Sequence, residues 1–231
     1  MYGTKRRAEK VIIGVFVLAL AAVSFASSGG VGVTAEEALQ KLMEGNKRFI
    51  ANQGSACKAS DTTRRESLAK GQKPYAIILS CSDSRVPPEI IFDKQLGEIF
   101  VIRVAGNIPD SIVLGSIEYA AEHIGSPLIM VLGHERCGAV TAAVQAKGDV
   151  EGNIGAIVKV IAPAATLAKK EAKGKSDAEI VEAASNANVK LVAQTIAEKS
   201  PVVAHLVKEG KIKIVAAKYD LDDGTVSLLG K

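Results

Sequence analysis

Cys81-Ser82-Asp83-Ser84-Arg85 directly follows one apolar run, and His134-x-x-Cys137 directly follows another. Cysteine and histidine are zinc ligands, the first as thiolate and the second as neutral imidazole. A short buried apolar run ending at each set reads as a strand, and open α/β sheets build their sites just beyond strand ends. Asp83 and Arg85 beside the first ligand are more than a structural zinc site needs. The chemistry such a set supports is catalysis at a metal.

Catalytic zinc commonly takes three protein ligands and a water, and Cys₂His is one of the known sets. Cys81, His134 and Cys137 are the candidate ligands, for one Zn²⁺ per subunit. Two thiolates cancel the ion's formal charge, so the site is only modestly electrophilic. Even so, the pKa of a bound water can fall from 15.7 to about 7, which gives hydroxide at neutral pH. Asp83 has two possible roles. It can accept the hydrogen bond of zinc-bound hydroxide and orient it, or it can become a fourth ligand in a closed form. Arg85 decides between them, because a guanidinium paired with Asp83 holds it off the metal. A helix starting near Gly138 would aim backbone N–H groups at the site and favour a bound anion.

The competing readings are a structural zinc staple, or two buried cysteines with no metal. A staple prefers four Cys/His ligands, often in closely spaced pairs, and only three convincing ones are present. His134-x-x-Cys137 alone is a weak signal. Together with Asp83 and Arg85 it favours catalysis.

The elements that must position these residues follow from the pattern. Tyr75–Ser80, Ile99–Val104 and Leu128–Leu132 read as buried parallel strands. Ser111–Ile124 reads as a helix between the last two, and another helix starts just after Cys137 and runs to Lys147. Residues 151–199 read as helices broken near Gly174, and Ser200-Pro201 starts one more. Lys211–Tyr219 is a strand, and Asp222-Asp223-Gly224 turns into a last short one. Ahead of them all, Thr34-x-x-Glu37 is a capping box opening a helix with an apolar stripe through Ala38, Leu42 and Phe49. The expected class is α/β: a mostly parallel β-sheet covered by helices, in a single domain. The N-terminal helix precedes the first strand and is expected to pack outside the main core or on a partner subunit.

The 231 residues, 48% apolar and 23% charged, suffice for one sizeable core and argue against disorder. Of the formal charge of +4, all but +1 lies in the first ten residues. A nearly neutral body without a basic cluster gives no support for nucleic-acid binding. Residues 1–26 read as a signal peptide: Lys5, Arg6, Arg7 and Lys10, then the apolar Val11–Val23, then Ser24-Phe25-Ala26. Cleavage is expected after Ala26, leaving no stable membrane anchor and an exported, periplasmic protein. The apolar run is shorter than the roughly 20 residues that span a bilayer. Arg6-Arg7 is a weak pointer to the twin-arginine route. Residues 27–33 read as a flexible linker and 34–231 as the domain. If Cys81 and Cys137 hold zinc, Cys57 is left as a spare thiol.

At the ligand motifs the chain resembles the β-class carbonic anhydrases. That family carries C-x-D-x-R and, about fifty residues on, H-x-x-C-G, here Cys81–Arg85 and His134–Gly138. Gly97–Arg103, Gly115–Ala120 and Tyr219-Asp220-Leu221 resemble it too. The resemblance covers about residue 34 to the C-terminus. It implies zinc, reversible hydration of carbon dioxide to bicarbonate, and a homodimer or dimer-based oligomer with active sites near the interface. The family's pocket Gln, Phe and Tyr match Gln72, Phe100 and Tyr119, with Gln72 hydrogen-bonding substrate or bicarbonate and the aromatics forming an apolar wall. Members with a regulatory bicarbonate site carry a Trp there, and this chain has none. Some relatives use the same ligands to hydrolyse carbon disulfide or carbonyl sulfide. A non-catalytic zinc or bicarbonate-binding protein is a third possibility, disfavoured by retention of Asp83 and Arg85. No proton shuttle is identifiable: His123 and His205 fall in helical patterns and read as surface histidines.

Overall fold

The computed structural model describes residues 31–55 and 62–230. The leader 1–26, linker residues 27–30 and Cys57 lie outside the described residues. Among the described residues, no helix is long and apolar enough to cross a membrane.

Among the described residues, five strands form one sheet: β1 (Ala76–Ser80), β2 (Ile99–Arg103), β3 (Leu128–His134), β4 (Lys213–Tyr219) and β5 (Val226–Leu228). Their order is β2-β1-β3-β4-β5. The first four are parallel, and β5 runs antiparallel to β4 at the edge. β1 and β3 are buried at every residue, which is why they read as unbroken apolar runs. From β1 the chain steps to β2 on one side and then returns to β3 on the other. Between β1 and β3 the direction of winding therefore reverses, and a crevice opens at their carboxyl ends.

Helices cover both faces of the sheet. On one face, Ile78, Leu128, Met130 and Leu132 pack against α1 (Ala35–Ile50), α5 (Gly138–Gln145) and α6 (Ile154–Glu171). On the other, Ile77, Leu79, Ile129 and Val131 pack against α4 (Ser111–Glu118) and α8 (Pro201–Lys208). α7 (Asp177–Lys199) serves both, with Val181 and Ala184 in the first core and Val189, Val192 and Ile196 in the second. Each fully buried Leu, Ile or Met stabilises the fold by about 1.5–3 kcal/mol, so the central strands are its most firmly held part.

The expected helix over 111–124 is α-helical only to Glu118 and continues as a π-helical turn over Tyr119–Ile124. Gly125, at φ 82°, ends it. Two short helices were not legible as such: α2 (Thr62–Leu68) and α3 (Pro88–Ile91).

α1 opens with the expected capping box: the Glu37 amide donates to Thr34 Oγ1 (3.2 Å) and the Thr34 amide to Glu37 Oε2 (2.8 Å). Its Ala38 and Leu42 are fully buried on the chain's own core. Asn46 is buried beside them and donates to the carbonyls of Ile91 (3.2 Å) and Gly224 (2.8 Å), while Oδ1 accepts from the Val226 amide (2.9 Å). This face of α1 therefore belongs to the chain's own core, so any contact with a partner subunit must use the remaining face.

Candidate metal centre

β1 ends at Ser80, so Cys81 emerges at the crevice mouth. β3 runs two residues further than its apolar run, because Gly133 and His134 still pair with Lys218 and Tyr219 of β4. His134 is thus the last residue of the strand rather than the first of a loop. A tight turn follows in which Arg136 takes a left-handed conformation (φ 48°). Its guanidinium grips Asp222 through two bonds of 3.0 and 2.8 Å, tying the turn to the β4–β5 connection. Cys137 then stands at the N-cap of α5.

These elements bring Cys81, His134 and Cys137 together, with their ligand atoms all within 4.8 Å of one another. All three are at least 96% buried. The sulfurs are 4.0 Å apart. Two thiolates on tetrahedral zinc, with Zn–S bonds of about 2.3 Å, stand about 3.8 Å apart, so the spacing suits that ion. The His134 ring adds a second observation. Nδ1 lies 2.8 Å from the Glu135 carbonyl, which fixes it as the protonated nitrogen. Nε2 is then a buried lone pair with no hydrogen-bond partner. A buried acceptor left bare is costly, and a metal ion is the partner its surroundings suit.

The thiols share this logic. The bond between them pushes Cys81 below the usual thiol range and, together with burial, pushes Cys137 above it. Two sulfurs this close, buried together, suit a shared divalent cation. Cys81 is also held by the Gly106 amide, 3.3 Å from its sulfur. The amides of Ala139 and Val140, in the first turn of α5, favour the Cys137 thiolate.

Asp83 Oδ2 lies 3.8 Å from His134 Nε2, beside the place an ion would occupy. Arg85 binds Asp83 through its backbone amide (3.0 Å to Oδ1), Nε (2.9 Å to Oδ1) and Nη2 (2.8 Å to Oδ2). The guanidinium bonds hold the Asp83 carboxyl well below the usual carboxylate range. Arg103, at the end of β2, donates to the carbonyls of Cys81 and Asp83 and so pins the loop between them. Sequence reasoning gave Arg103 and Gly106 no role; an arginine at a strand end and a glycine in a loop carry no chemical signature of their own.

Of the four expected pocket residues, Gly138 alone adjoins a candidate ligand in the chain. Gly138 is exposed at the start of α5, and a side chain there would meet nothing within 4 Å, so the space beside Cys137 is open. Phe100 and Tyr119 meet each other, with ring centroids 6.3 Å apart. Phe100 pairs with Ile77, four residues ahead of Cys81 on the neighbouring strand, or about 13 Å at 3.3 Å per residue. Gln72 is exposed in the loop leading into β1, at the opposite end of that strand from Cys81. Tyr119 also touches the ring of half-buried His123 (5.6 Å), and His205 is exposed and pairs with Glu209.

Two thiols and an imidazole converge at the reversal point of a parallel sheet, with a clamped carboxylate alongside, and together they form a group that could hold one metal ion. Comparison with known proteins agrees. The family model described as carbonic anhydrase matches residues 76–226. Carbonic anhydrase 2 of Mycobacterium tuberculosis is 40% identical over 194 residues, covering 83% of this chain and 91% of that protein. A carbonic anhydrase of Pseudomonas aeruginosa is 34% identical over 173 residues, covering 71% of this chain and 77% of that protein. Among solved structures, the β-carbonic anhydrase of Coccomyxa in complex with acetazolamide superposes with a TM-score of 0.70 at 26% identity, over 84% of this chain and 86% of that one. The chain belongs to the carbonic anhydrase family, in its β class.

Proposed function

We propose that this protein catalyses the zinc-dependent, reversible hydration of carbon dioxide to bicarbonate and a proton. The observation that carries the reading is the unpartnered His134 Nε2, grouped with two sulfurs 4.0 Å apart and flanked by a carboxylate already engaged by Arg85. Cys81, His134 and Cys137 would hold one zinc ion per chain. When bound, the ion supplies a nucleophile at neutral pH by lowering the pKa of water to about 7.

The chain's own residues do the rest. Arg85 engages both oxygens of Asp83, which holds the carboxylate beside the ligand set rather than on it. Asp83 remains an acceptor beside the ligand set and would orient a water held there toward carbon dioxide. The bare backbone of Gly138 leaves room for the substrate. The product anion departs to solvent and a proton passes to buffer. Arg85 and Asp83 serve no purpose in a zinc store, which argues against a binding protein.

Phe100 and Tyr119 lie too far along β2 and α4 to wall the site of their own chain. Tyr119 is half-exposed, and Ile112 on α4 is 77% exposed. An apolar wall for carbon dioxide therefore falls to a second copy, and the working form is a dimer or an assembly of dimers. Sedimentation at twice the chain mass or more is the expected result, and a catalytically active monomer would contradict it.

The test of substrate is direct. The purified protein is offered carbon dioxide, carbonyl sulfide and carbon disulfide in separate assays. Rapid bicarbonate formation is expected, with little sulfide released. Sulfide release without carbon dioxide hydration would overturn the assignment in favour of a sulfur-substrate hydrolase.

A further inference from the structure

α7 meets the metal centre through two successive residues that no ligand motif contains. Val189 fills the notch left by Gly133, the residue before His134. A side chain on Gly133 would lie 2.2 Å from Val189 Cγ2, so only glycine lets the helix this close. Asn188, 2% exposed, donates from Nδ2 to the Gly106 carbonyl at 2.9 Å. It is a buried amide in the middle of a 23-residue helix, surrounded by core residues of that helix.

The Ala105–Asn107 turn that Asn188 grips is fully determined. Gly106 sits at φ 69°, and a side chain there would lie 2.6 Å from Ile161 Cδ1 and 3.2 Å from Ala139 Cβ. The peptide unit after Gly106 is held at both ends. Its N–H, on Asn107, donates to the Val104 carbonyl at 2.8 Å, and its C=O receives Asn188. This anchors Gly106 itself, whose own N–H, on the preceding peptide unit, points at Cys81 Sγ, 3.3 Å away.

We infer that Asn188 is a positioning residue that sets the electron donation of the Cys81 sulfur to the metal, acting through the Gly106 amide. This rests on the zinc reading above. An N–H directed at a thiolate draws electron density from sulfur, so the ion it binds stays more electrophilic. Such outer hydrogen bonds tune a metal as well as orienting its ligands. Two thiolates neutralise a divalent ion, and one of them here is partly offset by an amide that α7 locks in place.

Cobalt(II) reports the effect because thiolate-to-cobalt charge transfer gives near-ultraviolet bands whose energy follows the sulfur lone pair. The cobalt-substituted wild type is compared with Asn188→Leu, which keeps the volume and removes the donor, and with Val192→Ala, a core truncation one turn on. Asn188→Leu is expected to move the bands to longer wavelength by several nanometres. Val192→Ala is expected to lower thermal stability and leave the bands in place. Unshifted bands in fully loaded Asn188→Leu would overturn the inference while leaving the metal reading intact. A wild type showing no thiolate bands with cobalt would overturn both. If Asn188→Leu does not fold, the wild type loaded with ¹¹³Cd answers instead. Scalar coupling between cadmium and the Gly106 amide proton is expected, and its absence overturns the inference.

Discussion

Arg85 reaches Asp83 three times, with its backbone amide, Nε and Nη2. A fork of this kind fixes direction as well as distance, which a lysine could not do. The depressed carboxyl of Asp83 has a definite pH consequence. Its folded pKa lies below the unfolded value of about 3.9, so the pair's contribution is complete above that value and is lost as pH falls through the folded one. The Arg85 side chain is about half exposed, so solvent screens the pair and its contribution to stability is small. Asp83 is therefore ionised throughout the neutral range, and a pH dependence of turnover there belongs to another group. Asp83→Ala is expected to keep one zinc per chain and to lose activity by about 10²-fold or more, measured by metal analysis and stopped-flow hydration on one sample. Unchanged turnover would remove Asp83 from the mechanism. Arg85→Ala removes the main cause of the shift, so the carboxyl should rise toward its ordinary value and swing onto the metal. A crystal structure of the zinc-loaded variant checks this, and a carboxylate still turned away would contradict it.

At the scale of elements, Gly45 shows how closely α1 is seated. A side chain there would fall 1.7 Å from the Phe92 carbonyl oxygen at the end of α3. Gly45→Ala should lift the helix from that contact and destabilise the protein by about 1–3 kcal/mol, read from urea unfolding. An unchanged midpoint would mean that α1 is held elsewhere. The strands were legible because β1 and β3 are buried on both faces and carry no polar alternation. Capping boxes made the start of α1 legible, since Thr34 and Glu37 announce it locally. α2 was not legible: none of its seven residues is buried, so no apolar stripe marks it. α3 has four residues, too few for a period to show. The extension of β3 to His134 depends on pairing with β4, about eighty residues later, and local sequence cannot signal it.

For the molecule as a whole, the site joins segments near residues 81, 103, 134 and 188 at the carboxyl end of the sheet's central strands. Its candidate ligands could be read from sequence because zinc admits few side-chain types and spacings. The groups that orient them could not, because an amide such as Gly106 or a carboxamide such as Asn188 acts only through tertiary position. Phe100 and Tyr119 were expected at the pocket, and the fold places them together but away from the ligands of their own chain. The proposed use of both in catalysis rests on assembly. The most direct measurement is stopped-flow carbon dioxide hydration by the purified chain from about pH 6.5 to 9, with zinc quantified in each sample. Activity proportional to zinc content and rising with pH is the expected result. Protein carrying one zinc per chain yet inactive across that range would contradict the proposed function.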